Sequence, residues 1–164
     1  MSRCKPNAGH HTLVEMESYF EDFSLIIQNV DGLHIRAGSR NVLELHGNMW
    51  KDGCTRCSRI VELLETPLKT LPPHCVCGYE QFGEPIDNRI LNTAFAASRR
   101  MELFLVVGTS GVVSPASQML LLTLENRAKV IEVNPDPTVL TPHMSFVRGI
   151  PSEIVEGVPY NRMF

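Results

Sequence analysis

The sequence has no excess of basic residues. Its 164 residues include 15 lysines and arginines against 18 aspartates and glutamates, a formal net charge of −3. Proteins that bind nucleic acids usually present a basic face to the phosphate backbone. We therefore expect no direct nucleic-acid partner, and a zinc-ribbon nucleic-acid binder is the least favoured alternative.

Long apolar runs are also missing. The longest, around Met119–Leu122, is far shorter than the roughly 18 residues of a membrane span, so we expect no membrane partner. The opening residues, MSRCKPNAGHH, lack the apolar core of a secretory signal. With five cysteines and no such signal, we expect a reducing, cytoplasmic location, in which cysteines bind metal more often than they form disulfides. A nuclear or mitochondrial location stays open.

Most of the chain alternates between strand-like and helix-like patterns. Strands are predicted over 24–29, 42–47, 103–108 and 129–134. Helices are predicted over 9–22, 88–101 and 114–128. Ser114 is the expected N-cap of the last helix, and the strand–helix–strand succession from 103 to 134 is a βαβ unit. The sequence therefore predicts an α/β chain with a parallel sheet.

The stretch 50–84 has a different texture, with four cysteines and few long apolar runs. Cys54 and Cys57 form a C-x2-C pair, and Cys75 and Cys77 follow as a tighter C-x-C pair. Four thiolates in two close pairs are typical of a structural, tetrahedral zinc site, and His74 could replace one ligand. We predict a small zinc-binding subdomain over 50–84, inserted into a domain made of 1–49 and 85–164.

Each of the four predicted strands ends in small or polar residues. They are Gln28, Asn29 and Asp31 at the first, His46 at the second, Gly108, Thr109 and Ser110 at the third, and Asn134 at the fourth. Any one of these groups could be turn chemistry. Four strand ends with the same habit instead predict one shared crevice, because ligands of parallel sheets bind at the carboxyl ends of the strands. His46 is the best candidate for a general base, because an imidazole ordinarily titrates near pH 6.5.

Several motifs together resemble those of the sirtuins, which are NAD-dependent protein lysine deacylases. They are PNAGH (6–10), QNVDGLH (28–34), ELHGN (44–48), the four cysteines, FGE (82–84), GTSGVVSPA (108–116) and VN (133–134). The combination of QNVDGLH with ELHGN is highly specific, and the order and spacing agree over nearly the whole chain. PNAGH and ELHGN resemble the branch that includes desuccinylases and bacterial members.

The resemblance implies a Rossmann-like fold and a role for each matched residue. His46 would be the catalytic base, acting on ribose hydroxyls of NAD while the acyl group of a lysine passes to ADP-ribose and nicotinamide leaves. The substrate would be an acylated-lysine protein or peptide, paired with Phe82 and Gly83. The cofactor NAD would contact Gln28, Asn29, Asp31, Gly108, Thr109, Ser110, Asn134 and Ile150.

The chain also departs from the family pattern. Ile27 replaces the threonine that commonly precedes the QN pair, and the segment between Cys77 and Phe82 is short. Residues 1–23 do not match the first strand of the family or its Gly-Ala-Gly-x-Ser loop, which cradles the NAD pyrophosphate. That strand lies between the strands that end at Asn29 and Gly108, so the sequence predicts an N-terminally truncated sheet.

The truncation leaves two questions open. The strands that flank the missing one either pair directly or leave a gap, and the chain is either a shortened form or associates with another chain through its incomplete sheet. The leading hypothesis is a sirtuin-type deacylase whose activity by itself is in doubt. The alternative is a non-catalytic, sirtuin-like binding or regulatory module.

Overall fold

The computed structural model of the protein describes residues 4–54, 56–57, 59–63, 75–77 and 87–149. The helices within these residues are α1 (Ala8–Tyr19), α2 (Leu33–Ala37), α3 (Asn88–Arg100) and α4 (Ala116–Glu125), with a 3₁₀ turn at Thr141–His143. The strands are β1 (Leu25–Ile27), β2 (Val42–Glu44), β3 (Lys51–Gly53), β4 (Ile60–Glu62), β5 (Leu103–Val107), β6 (Lys129–Asn134) and β7 (Ser145–Arg148).

Two helices begin at residues whose side chains accept hydrogen bonds from free backbone N–H groups of the first turn. At α1, the Asn7 side chain accepts from the backbone N–H of His10 at 3.2 Å, and His10 Nδ1 accepts from the backbone N–H of Asn7 at 3.3 Å. At α3, Asp87 Oδ1 accepts from the backbone N–H of Arg89 at 2.7 Å. These contacts fix where α1 and α3 begin.

The predicted N-cap of α4 was wrong. Pro115, not Ser114, takes the cap position, and no side chain caps this helix. Ser114 therefore lies one residue too far from the free N–H groups of the first turn. Its Oγ accepts a hydrogen bond from Gln118 Nε2 at 3.0 Å instead.

The functional end of the fold is built on two parallel sheets. Strands β5, β6 and β7 pair in that order, with Leu103 opposite Lys129 at the start of the β5–β6 ladder. Strands β1 and β2 form a separate parallel pair, with Leu25 opposite Val42. The predicted parallel α/β fold is confirmed. Within the part of the chain that the structure describes, β1 and β5 do not pair, so the structure has the gap and not the direct pairing.

A cavity of about 760 Å³ lies between β1 and β5. Residues 25–29 line one side and residues 103–108 the other, and side chains of α1, α3 and α4 complete the lining. We call this cavity the β1–β5 cleft. It occupies the position where a further strand would join the two sheets.

Among the described residues, two core clusters both include residues of α4. Met119 packs with Leu45 and Ala94, and these three side chains are almost completely buried. Leu120 packs with Val106 and Val130. Helix α4 is thus held against both sheets, because its two neighbouring core residues belong to different clusters.

The remaining strands, β3 and β4, form an antiparallel hairpin in which Lys51 lies opposite Glu62. Strand β3 precedes the first cysteine pair and β4 follows it. The hairpin lies within residues 50–84, the range of the predicted subdomain.

Over the described residues, no helix combines the length and apolar character that crossing a membrane requires.

We expect Met119→Ala to lower the free energy of unfolding by about 2–5 kcal/mol, because it leaves a cavity between α3, α4 and β2. Urea denaturation followed by circular dichroism measures this loss. Leu121→Ala is the matched control on the same helix, since the Leu121 side chain is 48% exposed, and it should cost about 1 kcal/mol or less. Equal losses in the two variants would contradict the described packing of α4.

Candidate functional site

A chain of hydrogen bonds joins the carboxyl ends of β1, β5 and β6. Gln28 Nε2 donates to Thr109 Oγ1 at 3.1 Å, and Asn134 Nδ2 donates to the backbone C=O of Thr109 at 2.9 Å. Asn134 Nδ2 also donates to Glu132 Oε1 at 2.8 Å. We call Gln28, Thr109, Asn134 and Glu132 the strand-end network. It brings together three of the residues that the sequence assigned to the cofactor.

Glu132 is a site residue that sequence reasoning missed. Glu132 belongs to β6, and it is 0% exposed although it carries a carboxylate. Burial alone would raise the pKa of Glu132, but hydrogen bonds donated by Thr141 and Asn134 outweigh this effect and hold the pKa below its ordinary value. The buried carboxylate therefore stays ionised and orients Asn134. A charged residue inside the otherwise apolar stretch VIEV (130–133) was the available signal.

Asn29 and Asp31 follow β1, but they are held differently. Asn29 is exposed, and its Nδ2 lies 3.5 Å from Asp31 Oδ2. Asp31 Oδ1 accepts from the backbone N–H of Leu33 at 2.9 Å, and the Asp31 backbone C=O accepts from Trp50 Nε1 at 2.6 Å. Asp31 thus stabilises the turn into α2, while Asn29 stays accessible to a ligand.

The Trp50 contact explains the glycine in this turn. Gly32 has a φ of 70°, in the left-handed region that favours glycine, and an added Cβ would lie 2.9 Å from Trp50 Cδ1. The glycine therefore allows the indole to close over the turn.

His46 stands at the same end of the sheet as Asn29. The preceding residue, Leu45, is fully buried, and its N–H donates to the backbone C=O of Ile27 at 3.0 Å. Because β1 and β2 run parallel in this register, the residue after Leu45 lies beside the residues after Ile27. His46 is exposed, so its imidazole is available to a bound molecule.

The sequence assigned no individual role to His10 or His34. The rings of these two histidines lie 4.5 Å apart, and His34 lines the β1–β5 cleft. Burial, together with the charge of protonated His10, lowers the pKa of His34 to about 4. Within the described residues, His34 Nδ1 is buried without a hydrogen-bond partner. His34 is therefore a neutral imidazole with a free polar atom at neutral pH.

A second cavity, of about 410 Å³, opens beside the strand-end network. Gly108, Thr109 and Ser110 line it from β5, and Asn134 and Asp136 line it from the end of β6. Gly108 has a φ of 62°, so the chain turns tightly there without a side chain. The cavity gives Ser110 and Asn134 a shared space. The predicted residues Phe82, Gly83 and Ile150 lie outside the described residues.

The four predicted metal ligands lie together. The Sγ atoms of Cys54, Cys57, Cys75 and Cys77 are all within 4.8 Å of one another. Two of these separations are 3.5 Å (Cys54–Cys77) and 3.6 Å (Cys57–Cys75), close to the roughly 3.8 Å edge of a tetrahedron whose metal–sulfur bonds are about 2.3 Å. A hydrogen bond from the backbone of Cys57 helps to lower the pKa of Cys54 to about 6. The geometry and the thiolate character both fit a bound metal ion.

Comparisons with known proteins agree with this geometry. A family model described as the Sir2 family matches residues 1–115. An NAD-dependent protein deacylase of Aquifex aeolicus is 47% identical over 148 residues, which cover 86% of this chain and 62% of that protein. NAD-dependent protein deacylase 1 of Caldanaerobacter subterraneus is 44% identical over 91% of this chain and 65% of its own length. This chain thus spans less than two thirds of these relatives.

Solved structures show the same relationship. A Sir2 homologue in complex with NAD superposes with a TM-score of 0.86 at 36% identity, covering 95% of this chain and 64% of that one. Sir2Af2 bound to a myristoylated histone peptide superposes with a TM-score of 0.78 at 35% identity, covering 93% and 70%. The Rossmann-like fold expected from the resemblance is confirmed. Since the family model matches most of its length and close relatives cover nearly all of it, this chain belongs to the Sir2 family, the sirtuins.

Proposed function

We propose that this chain carries the cofactor and acyl-transfer residues of an NAD-dependent protein lysine deacylase. The single observation that supports this proposal is the strand-end network, in which Gln28, Thr109 and Asn134 hold one another at the ends of three strands. Amide and hydroxyl groups fixed in this way match the hydrogen-bonding groups of a nucleotide and its riboses. The relatives in Aquifex aeolicus and Caldanaerobacter subterraneus are NAD-dependent protein deacylases, which supports the same chemistry here.

The cofactor would lie across the carboxyl ends of β1, β5 and β6, beside the strand-end network. Gln28, Asn29 and Asp31 would bind the nicotinamide and its ribose. Thr109, Ser110 and Asn134 would bind the other ribose and the phosphate from the 410 Å³ cavity, and the resemblance assigns Ile150 to the cofactor as well. Bound NAD would supply the ribose carbon that accepts the acyl oxygen and the nicotinamide that leaves. The exposed imidazole of His46 would accept the proton of a ribose hydroxyl.

The substrate would be a protein or peptide with an acylated lysine. The sequence assigns its backbone contacts to Phe82 and Gly83, as a strand added to an exposed edge. Sir2Af2 was solved with a myristoylated histone peptide, which supports a peptide substrate here. A cytoplasmic location stays a prediction from the cysteine content.

We also propose zinc as the metal of the cysteine cluster. Four thiolates leave no open coordination position, so the ion would be structural. The described part of the subdomain buries little apolar surface: Ile60 is 70% exposed and Val76 is 82% exposed. These exposed residues add little to a core, and a bound metal ion would stabilise the fold around them.

A second candidate function has one observation in its favour. The sheet is interrupted between β1 and β5, so the cofactor residues of β1 are joined to those of β5 by side chains and not by backbone pairing. A non-catalytic binding or regulatory module would keep this arrangement without turnover. Calorimetric titration with NAD separates the two functions, because weak binding together with stable association with another chain favours the module.

For zinc, we expect the purified chain to carry about one ion, measured by inductively coupled plasma mass spectrometry. Cys57→Ser should lose most of it and lower the thermal midpoint, because the tetrahedral site loses a ligand. Cys4→Ser is the matched control, since Cys4 is an exposed cysteine outside the cluster. Unchanged zinc content in Cys57→Ser would remove the assignment.

For catalysis, we expect His46→Ala to reduce nicotinamide release from NAD and acetyl- or succinyl-lysine peptides by about 10²–10⁴-fold, because the proton acceptor is lost. The control is His11→Ala, which removes an exposed histidine of α1 and should retain the activity. Full activity in His46→Ala would contradict the assigned base. No turnover by the unaltered chain with any acyl group would contradict autonomous catalysis and favour the module.

A further inference from the structure

The side chain of Asn134 has one polar atom left for a ligand. Its Nδ2 carries two N–H groups, and both are used: one donates to the Thr109 C=O at 2.9 Å and the other to Glu132 Oε1 at 2.8 Å. Because both partners are acceptors, the amide would lose both bonds if it were turned the other way. Oδ1 is therefore the atom that meets a ligand in the 410 Å³ cavity, which Asn134 lines.

Glu132 holds this orientation from a fully buried position. The residue is 0% exposed, and its two carboxylate oxygens bond different partners. Oε1 accepts from Asn134, and Oε2 accepts from the hydroxyl of Thr141. An ionised carboxylate has acceptors and no donors, so only the N–H side of the Asn134 amide can face it. A neutral amide in place of Glu132 would not impose this requirement.

The same carboxylate also holds a wall of the cavity. Thr141, which donates to Glu132, accepts at its Oγ1 from the Thr138 N–H at 2.7 Å. Thr138 in turn lines the cavity together with Asn134. Glu132 thus fixes the acceptor of Asn134 and the wall at Thr138 relative to each other.

The charges around the cavity disfavour an added phosphate. Asp136 belongs to the lining, and among the described lining residues there is no lysine or arginine. Arg148 does not line the cavity, and its guanidinium donates to Asp136 Oδ1 at 3.2 Å and to the Pro135 C=O at 3.1 Å. A phosphate monoester carries about 1.5–2 negative charges near neutral pH and brings three acceptor oxygens. Dinucleotide sites that take a 2′-phosphate commonly supply an arginine for it.

We propose that Glu132 is a positioning residue that makes this cavity specific for a ribose with free hydroxyl groups. By fixing Asn134 as an acceptor, Glu132 selects a hydroxyl, which donates, and rejects a 2′-phosphate, which brings further acceptors and negative charge. The ligand class is the ADP-ribose moiety of NAD, without the additional phosphate of NADP. This inference rests on the proposed function, which places a cofactor ribose beside Asn134. It goes beyond that function because it assigns the choice between the two dinucleotides to a buried residue.

Calorimetric titration of the full chain with two compounds tests the proposal. The probes are ADP-ribose and the same compound phosphorylated at the 2′-hydroxyl of its adenosine. The unaltered chain should bind ADP-ribose about tenfold more tightly or better, because the phosphate leaves the Asn134 acceptor without a donor. Equal affinity for the two compounds, or failure to bind either, would overturn the inference.

Glu132→Gln keeps the size of the side chain and removes its charge. It should weaken ADP-ribose binding by about tenfold and narrow the ratio of the two affinities to about threefold or less, because the Asn134 amide is no longer held. The matched control is Glu125→Gln, which removes the same charge from an exposed residue of α4 and should leave both affinities unchanged. A general loss of stability would weaken both compounds by the same factor, so an unchanged ratio in Glu132→Gln would contradict the inference.

NMR spectroscopy reports the orientation of Asn134 without any ligand. In Glu132→Gln, the side-chain NH2 protons of Asn134 should move upfield and exchange faster with water, since a hydrogen bond to a carboxylate is stronger than one to a neutral amide. Glu125→Gln should leave both signals in place. Unchanged Asn134 signals in Glu132→Gln would show that the carboxylate does not hold the amide.

A second pair of variants decides the question if Glu132→Gln does not fold. Thr141→Val removes the hydroxyl that donates to Glu132, and Thr141→Ser retains it. Thr141→Val should narrow the ratio of the two affinities by about threefold or more, while Thr141→Ser should preserve it. The same ratio in both variants would count against the role of Glu132.

Nicotinamide release separates this inference from the proposed function. Release from NAD by a chain that binds both compounds equally would overturn only the role of Glu132. Absence of release by a chain that still prefers ADP-ribose would contradict autonomous catalysis and would support the role of Glu132.

Discussion

Backbone pairing between parallel strands decides where each functional side chain stands, and it is interrupted at one place. Within the described residues, β1 pairs only with β2, and β5 pairs only with β6. Each buried backbone group without a partner costs about 1–3 kcal/mol, against a typical folding stability of about 5–15 kcal/mol. The backbone N–H and C=O groups along the two edges of the β1–β5 cleft therefore require hydrogen-bond partners, from water or from protein.

The candidate functional site extends across this interruption between β1 and β5. Gln28 belongs to one sheet, while Thr109 and Asn134 belong to the other, and the bond between Gln28 and Thr109 spans the open end of the cleft. The separation of these side chains consequently depends on what lies between β1 and β5. Asn134 is fixed more firmly, because the buried carboxylate of Glu132 and the backbone of Thr109 both hold its amide.

The cysteine cluster follows a different physical rule. Its hairpin, β3 and β4, exposes apolar residues such as Ile60 and has little core of its own. The four sulfur atoms nevertheless converge within 4.8 Å. The hairpin therefore gains little stability from apolar packing, whereas the two parallel sheets depend on backbone pairing and on the packing of α4.

The periodicity of the sequence determined most elements of the fold, because helical and strand patterns are local. It located α1, α3, α4 and the strands β1, β2, β5 and β6, and the spacing of the four cysteines identified the cluster. Short elements were missed, among them α2, the β3–β4 hairpin and β7, because three to five residues carry too little pattern.

For the site, the sequence identified residues, and the tertiary structure decided how they are held. Because the carboxyl ends of parallel strands share one edge of the sheet, polar residues at those ends were enough to identify Gln28, Thr109 and Asn134 as site candidates. The burial of Glu132 and the contact between the rings of His10 and His34 depend on contacts between distant segments. The sequence alone left open whether β1 and β5 pair or stand apart, because strand pairing depends on which edges meet in space; the folded chain keeps them apart.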